Sequence, residues 1–392
     1  LTKYPNANVS GCVPEIPLSK ICYVRLAHLR CDQAQSSVAL AVVQIFSDLT
    51  NAGNVKRAIF TILVLAGFLQ MNAQSTLFVK KGAQGNGSSW SQAFGDLQQA
   101  LRIAKPGTFI WVATGVYTPT SSDDRSKSFV IGDGVVLLGG FAGVETRSDQ
   151  RNWISNETIL SGDIGSPSQE DNSLNVVYTC NVNNVVVDGF TICDGNSANS
   201  LDQEGSRNGT GAAWFNEASS NAHSVLIQNC TFRDNAANYA AGIYNFATNG
   251  ATNNSKILNC SFTNNSSKIE GGAIMNVAVG ATCNVTIDGC DFVKNFAVYG
   301  GAIFDRAKNN GTNTSQIKNN TLSQNKAVND GSDFFTNRDN SSYNKPLYLN
   351  NVSTNAPSSS NILDEAKVTP SGTNASNAKM RSSNSSTRIL QN

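Results

Sequence analysis

The chain has 392 residues and a net charge of +1, so its bulk balance does not point to a nucleic acid or a membrane surface as partner. Charged residues make up only 15% of it, against roughly 25% in an ordinary soluble domain. Asn, Ser, Thr and Gly take their place, which favours turns and sheet because Asn and Gly tolerate a left-handed backbone. With 40% hydrophobic residues in a patterned order, the chain does not have the composition of a disordered one.

The first element in chain order is "VKRAIFTILVLAGFLQMNAQ" at 55–74. A basic start (Lys56, Arg57), an apolar run from Ala58 to Met71 and a small-residue end give the three-part layout of a secretory signal peptide. The run is short against the roughly 20 residues a spanning helix needs. We read 55–73 as the signal peptide, cleaved after Ala73, and 1–54 as an upstream, non-native extension. A genuine extension with a short signal anchor is the alternative. No other stretch suggests an integral membrane domain. From Gln74 onward the chain holds six of the nine cysteines and a single histidine, His223. An exported chain meets an oxidising compartment, so those cysteines need an account.

Next comes "SSWSQAFGDLQQALRIAKPG" (88–107). Phe94, Leu97, Leu101 and Ala104 fall at helical spacing after a Ser-rich start, and Pro106-Gly107 stop the pattern. This predicts an amphipathic helix. The runs at 109–117, 128–143, 157–162 and 175–192 are strand-like and closed by Gly and Asn.

From residue 227 a strict ladder begins. Ile227, Ile257, Ile287 and Ile317 are thirty apart, as are Cys230, Cys260 and Cys290, then Phe232, Phe262 and Phe292, then Asn235, Asn265, Asn295 and Asn325. A small-residue phrase accompanies them, as in "GGAIM" at 271–275 and "GGAIF" at 300–304. Periods of this length mean a solenoid, propeller or array. No repeat contains a helical pattern, and thirty residues are tight for a four-stranded blade. The prediction is all-β: a right-handed, single-stranded parallel β-helix over 74–352, with coils of about thirty residues stacked ~4.8 Å apart. Equivalent positions then lie above one another, with Ile, Cys and Phe inside and Asn at a bend, bonding the backbone of the next coil. The helix at 88–107 caps the first coil, because a solenoid's open end exposes core and strand edges. Cys230, Cys260 and Cys290 would be buried free thiols, since stacked residues have near-parallel Cβ vectors that suit a disulfide poorly. Residues 353–392 are Ser/Asn-rich and read as a disordered tail.

One coil breaks the rhythm. Val187, Phe190 and Ile192 precede their columns by forty residues, which places a ten-residue insertion around "SANSLDQEGSRNGTG" (197–211). Loops leaving a solenoid concentrate binding residues, so Asp202, Glu204 and Arg207 are candidate binding residues. A plain tolerated insertion is the alternative. Tyr239 and Tyr299, in turns before the small-residue phrase, are candidate exposed sugar contacts, whereas Trp214 shares the Ile243 column and is expected to be buried.

The recurring "FRDN", "FTNN" and "FVKN" followed by "GGAI" resemble the repeats of chlamydial polymorphic outer membrane proteins, over about 185–336. The head, with "GGFAGVETRSDQRNW", resembles secreted β-helix proteins of Gram-negative bacteria in the pectin-lyase-like group. The resemblance implies a secreted, extracellular or outer-membrane-surface protein with an adhesin-like, non-enzymatic role, and glycans or host and matrix components as partners. The same fold group implies an alternative, a polysaccharide lyase or glycoside hydrolase acting on acidic polysaccharide. For that alternative the catalytic candidates are Asp288, Asp291, Asp305 and Arg306, with Glu270 and Asp234 beside Arg233 as further carboxylates. An inverting pair needs carboxyls ~6.5–9.5 Å apart. Each acidic residue also has a plain reading as solvated coil surface. His223 reads as an exposed turn histidine, and a metal site built on several histidines is excluded. No cofactor is expected, and calcium enters only under the lyase alternative.

Overall fold

The computed structural model describes residues 75–198 and 204–354. The expectations for 1–54 and 55–73, and for the tail beyond residue 354, lie outside the described residues, as does Asp202.

The chain winds through a nine-stranded, an eight-stranded and a seven-stranded sheet, with smaller five- and four-stranded sheets at the corners. Neighbouring strands are parallel and come from successive coils. Their crossovers take the right-handed sense that parallel connections adopt, giving a right-handed parallel β-helix. The columns follow from this register. Ile227 pairs with Ile257, Ile257 with Ile287 and Ile287 with Ile317. Phe232, Phe262 and Phe292 stack face to face with ring centroids 4.8 Å apart, one strand spacing. Strand alternation puts Trp214, Ile243, Ile274, Ile303 and Phe334 inside, all buried.

The asparagine corner is a continuous amide ladder. Asn235 donates from Nδ2 to Oδ1 of Asn265 (2.9 Å), Asn265 to Asn295 (3.0 Å) and Asn295 to Asn325 (3.0 Å). Each accepting Oδ1 also takes the backbone N–H of the preceding asparagine. Asn265, Asn295 and Asn325 donate as well to the carbonyls of Phe232, Phe262 and Phe292. A corner buried against the core would otherwise strand these polar groups.

The two glycines of the repeated phrase answer different demands. Gly271 has φ +64° and Gly300 φ +64°, in the left-handed region. Gly272 is needed for space, because a Cβ there would lie 2.0 Å from the Gly301 carbonyl oxygen. In the column of Gly271 the earlier coil carries Ala240, which adopts φ +51° despite its side chain.

At the head, α1 (Leu97–Ile103) buries Leu97 and Ala100 and packs against the strands Thr76–Val79 and Phe129–Val130. Its N-cap is Asp96, which accepts from the Gln98 N–H, rather than a serine of the preceding run. Phe94 lies before the helix, bridged in parallel to Val79, so the helix is shorter than its apolar spacing suggested.

All six described cysteines are free, with Cys230, Cys260 and Cys290 buried in their column. Burial pushes the Cys260 thiol well above its ordinary value, which leaves it a small apolar filler. Cys193 and Cys283 are also buried, and Cys180 is half-buried.

One internal feature has its sequence signal in the polar residue that closes each small-residue phrase, as in "GAAWFN", "AAGIYN", "EGGAIMN" and "YGGAIFD". Thr179, Asn216, Asn245, Asn276 and Asp305 occupy one inward column of the seven-stranded sheet. The Asn216 amide donates to Asn245, Asn245 to Asn276, and Asn276 to Asp305. Asp305 also accepts from Asn313 and from the Tyr348 hydroxyl. His223 belongs to this network and corrects the turn reading: it is fully buried. Its Nδ1 accepts from the Val182 N–H, so its Nε2 donates to Asn216 Oδ1 (2.6 Å). Burial pushes its pKa down to about 4.

Candidate functional site

The sequence-derived acidic candidates occupy separate faces. Asp288 lies on the outer face of the nine-stranded sheet, in a shallow polar trough of about 570 Å³ with Lys256 and Lys318. It pairs with Lys318 at 3.5 Å and accepts from Asn319. Asp291 is exposed on the outer face of the eight-stranded sheet. Asp305 is inside the solenoid, fully buried, with its pKa pushed up to about 6 by burial. Arg306, the next residue, therefore points outward. The proposed Asp305–Arg306 partnership fails because adjacent strand residues face opposite sides. Asp234 is exposed and paired with Arg233 at 3.1 Å.

Besides the exposed Asp234–Arg233 pair, Glu270 and Arg306 meet, and they do so in a buried ionic cluster. Arg306 donates to Glu270 and, at 2.8 Å, to Glu204, which also takes the Lys308 ammonium at 2.7 Å. Burial alone would raise the Glu204 carboxyl, but Arg306 and Lys308 outweigh it and hold it below its ordinary value. Glu270 is raised, its burial exceeding the help from Arg306. At the other end of the insertion, the Arg207 guanidinium sits 3.9 Å over the Tyr178 ring and donates to Asn175 and Ser128. Tyr178 and Arg306 stand on strands four spacings apart in the seven-stranded sheet. Glu204 and Arg207 thus fasten the insertion along this face, Glu204 through its ion pairs with Arg306 and Lys308 and Arg207 through neutral partners. Tyr239 and Tyr299 are half-buried against the outer apolar row of Phe215, Tyr244, Met275 and Phe304. They are packing residues rather than exposed sugar contacts.

The better site lies where the nine- and eight-stranded sheets meet, at the loop that carries Trp153. A groove of about 470 Å³ is lined by Trp153, Ile154, Glu157, Thr191, Asn229, Thr231, Asn259, Ser261 and Asp291 among others. The Asp288 trough is of similar size, so the exposed indole rather than the volume distinguishes this groove. Its floor is one outward column of the eight-stranded sheet, in which Thr191 neighbours Thr231, Thr231 neighbours Ser261 and Ser261 neighbours Asp291. Glu157 accepts from the Thr191 hydroxyl at 2.8 Å.

Trp153 is 38% exposed, although its backbone is tightly seated. A Cβ on Gly140 would lie 2.7 Å from its Cα, and one on Gly189 would lie 3.0 Å from its Cβ. Arg151, two residues earlier, bonds the largely buried Asp188, which also accepts from Gln228 and Asn229. Its guanidinium lies 4.9 Å from the Trp153 ring centroid. Asn152 caps the following turn by accepting from the N–H groups of Ile154 and Ser155. The indole is therefore presented to solvent by a rigid support. A Gly-Gly pair before an aromatic-bearing loop was the available sequence signal, but the irregular early coils gave no column to read it against. Among the described residues no three His, Cys, Asp or Glu side chains converge as a metal set.

No protein-family model matches the sequence, and no curated protein matches it. Among solved structures the chain is similar to a pectin methylesterase from Aspergillus niger, at 16% identity and a TM-score of 0.37, covering 78% of this chain and 91% of that one. It is similar also to the pectate lyase Pel9A, at 12% identity and a TM-score of 0.39, covering 76% of this chain and 74% of that one. At these values the likeness carries no argument about this chain's chemistry.

Proposed function

We propose that the protein is a non-catalytic, glycan-contacting scaffold that works outside the cell, binding a linear saccharide along the Trp153 groove. The observation that carries this reading is the rigidly seated, exposed indole at a groove floored by hydroxyl groups. An aromatic platform with a few fixed polar groups is what a sugar, apolar on its ring faces and polar at its edges, requires. The signal-peptide-like segment and the resemblance to bacterial surface proteins support the extracellular placement and the adhesin-like role.

The hydrolase and lyase alternative has less support. The two carboxylates of the groove, Glu157 and Asp291, belong to opposite ends of a floor three strand spacings long. That is about 14 Å between backbones, beyond the ~6.5–9.5 Å of an inverting pair. Trp153→Ala is the test, read by calorimetric titration with oligosaccharides and by circular dichroism. Because the side chain is exposed, the fold should survive while binding falls at least tenfold. Unchanged binding would sink the proposal. Turnover of a polysaccharide by the wild-type chain, lost on Glu157→Gln, would revive the enzyme reading.

A further inference from the structure

We propose that the groove selects an amino-bearing, positively charged oligosaccharide about three sugars long over an acidic one. This inference rests on the glycan-contacting reading above. The groove lining contains two acidic side chains, Glu157 and Asp291, and neither Lys nor Arg. Both carboxylates are exposed, and the bond that Glu157 accepts from Thr191 leaves its charge uncompensated. The arginines on adjoining segments do not offset them. Arg151 is bound to Asp188, and Arg233 to Asp234. The lysines Lys256 and Lys318 line the separate trough on the nine-stranded sheet.

The floor places these charges at its two ends. Glu157 is fixed at Thr191, Asp291 stands three strands further along, and Thr231 and Ser261 lie between. A ligand running along the solenoid axis over this distance of about 14 Å meets a carboxylate, two hydroxyl groups and a second carboxylate in turn. Protonated amines at its ends would face those carboxylates, while uronates would face them with like charge. The Trp153 ring already carries the Arg151 guanidinium 4.9 Å from its centroid, so it contributes an apolar platform for a sugar face and leaves the charge selection to the two carboxylates.

The experiment is a calorimetric titration of the full chain at low ionic strength with three trisaccharides: glucosamine, N-acetylglucosamine and galacturonate oligomers. The glucosamine trimer should bind most tightly, by roughly five- to tenfold over the acetylated one, with the advantage shrinking as salt is added. The galacturonate trimer should bind weakest. The double variant Glu157→Gln/Asp291→Asn should abolish the ranking while retaining Trp153-dependent binding. A galacturonate trimer binding as tightly as the glucosamine trimer would overturn the inference, as would a ranking that survives in the double variant. So would a trilysine peptide that binds as tightly and ignores Trp153→Ala. If neutral and acidic trimers bind through Trp153 with no advantage for the amine, only this inference falls. If no trimer binds at all, the glycan-contacting reading falls with it.

Discussion

Replacing Asp305 by Asn should make the protein more stable at neutral pH. Asp305 is fully buried in the solenoid and accepts from Asn276, Asn313 and Tyr348. Burial raises its pKa from 3.8 to about 6, a shift those three bonds only reduce. The unfolded chain thus releases this proton first. The folded state binds the extra proton between about pH 4 and 6, so stability falls as pH rises through that window and stays lowered above it. About two units at 1.36 kcal/mol each give a penalty of ~3 kcal/mol at pH 7.5. An asparagine keeps the Oδ1 acceptor for both amides and requires only that the Tyr348 hydroxyl turn to accept. His223 acts in the opposite sense: its pKa falls to about 4 on burial, so stability is lost as pH drops from about 6.5 toward 4. The wild-type profile therefore partly cancels, and the informative quantity is the difference between variant and wild type. Urea unfolding from pH 4 to 8 should show that difference near zero at pH 4 and growing to between about 1 and 3 kcal/mol by pH 7.5. A constant difference across this range, or a variant that is less stable at pH 7.5, would refute the argument.

Three further substitutions test the frame. Asn265→Ala strands the Asn235 backbone N–H, takes one of three acceptors from the Asn235 amide and removes the bond to the Phe232 carbonyl; it should cost about 1–3 kcal/mol in urea unfolding. Ala240→Gly relieves a left-handed alanine in a column otherwise held by glycine, and should gain about 0.5–1 kcal/mol after the entropy cost of glycine. A loss on that substitution would show that the alanine contacts matter more than the backbone. Arg306→Met leaves Glu204 and Glu270 buried beside Lys308 alone, and should cost about 3–5 kcal/mol at pH 7. Part of that loss should be recovered near pH 4 as the carboxylates protonate, which thermal melts at the two pH values would read.

What the sequence disclosed followed from stacking. Parallel coils repeat each inward position in register, so Ile, Cys, Phe and Asn columns were visible as a fixed spacing. The same logic placed Trp214 inside with Ile243. Reading single residues against one another was weaker. Asp305 and Arg306 look like a pair on paper, but the two-residue alternation of a strand sends them to opposite faces. His223 lies in Ser219-Ser220-Asn221-Ala222-His223-Ser224, a composition that suggests a turn, yet the ring lies inside, bonded to Asn216. The Glu204–Arg306 pair spans 102 residues with no period connecting them. The Trp153 support depends on two glycines, Gly140 and Gly189, whose importance lies in what approaches them rather than in any local pattern.

The asparagine ladder has a consequence for how such a molecule changes over time. Asn265 makes the same bonds to its neighbours that Asn295 makes to its own. Along this corner a regular coil is therefore a part that fits between two of its like. Removing thirty residues from Ile257 would bring the Asn295 amide onto Asn235 with donors and acceptors still matched. Duplicating a coil would do the same in reverse. Length is thus adjustable along this corner, whereas on the seven-stranded face the Glu204–Arg306–Glu270 cluster ties particular coils together. Because the groove floor is the outward side of these same coils, adding one would extend the binding surface by one further contact without redesigning the interior.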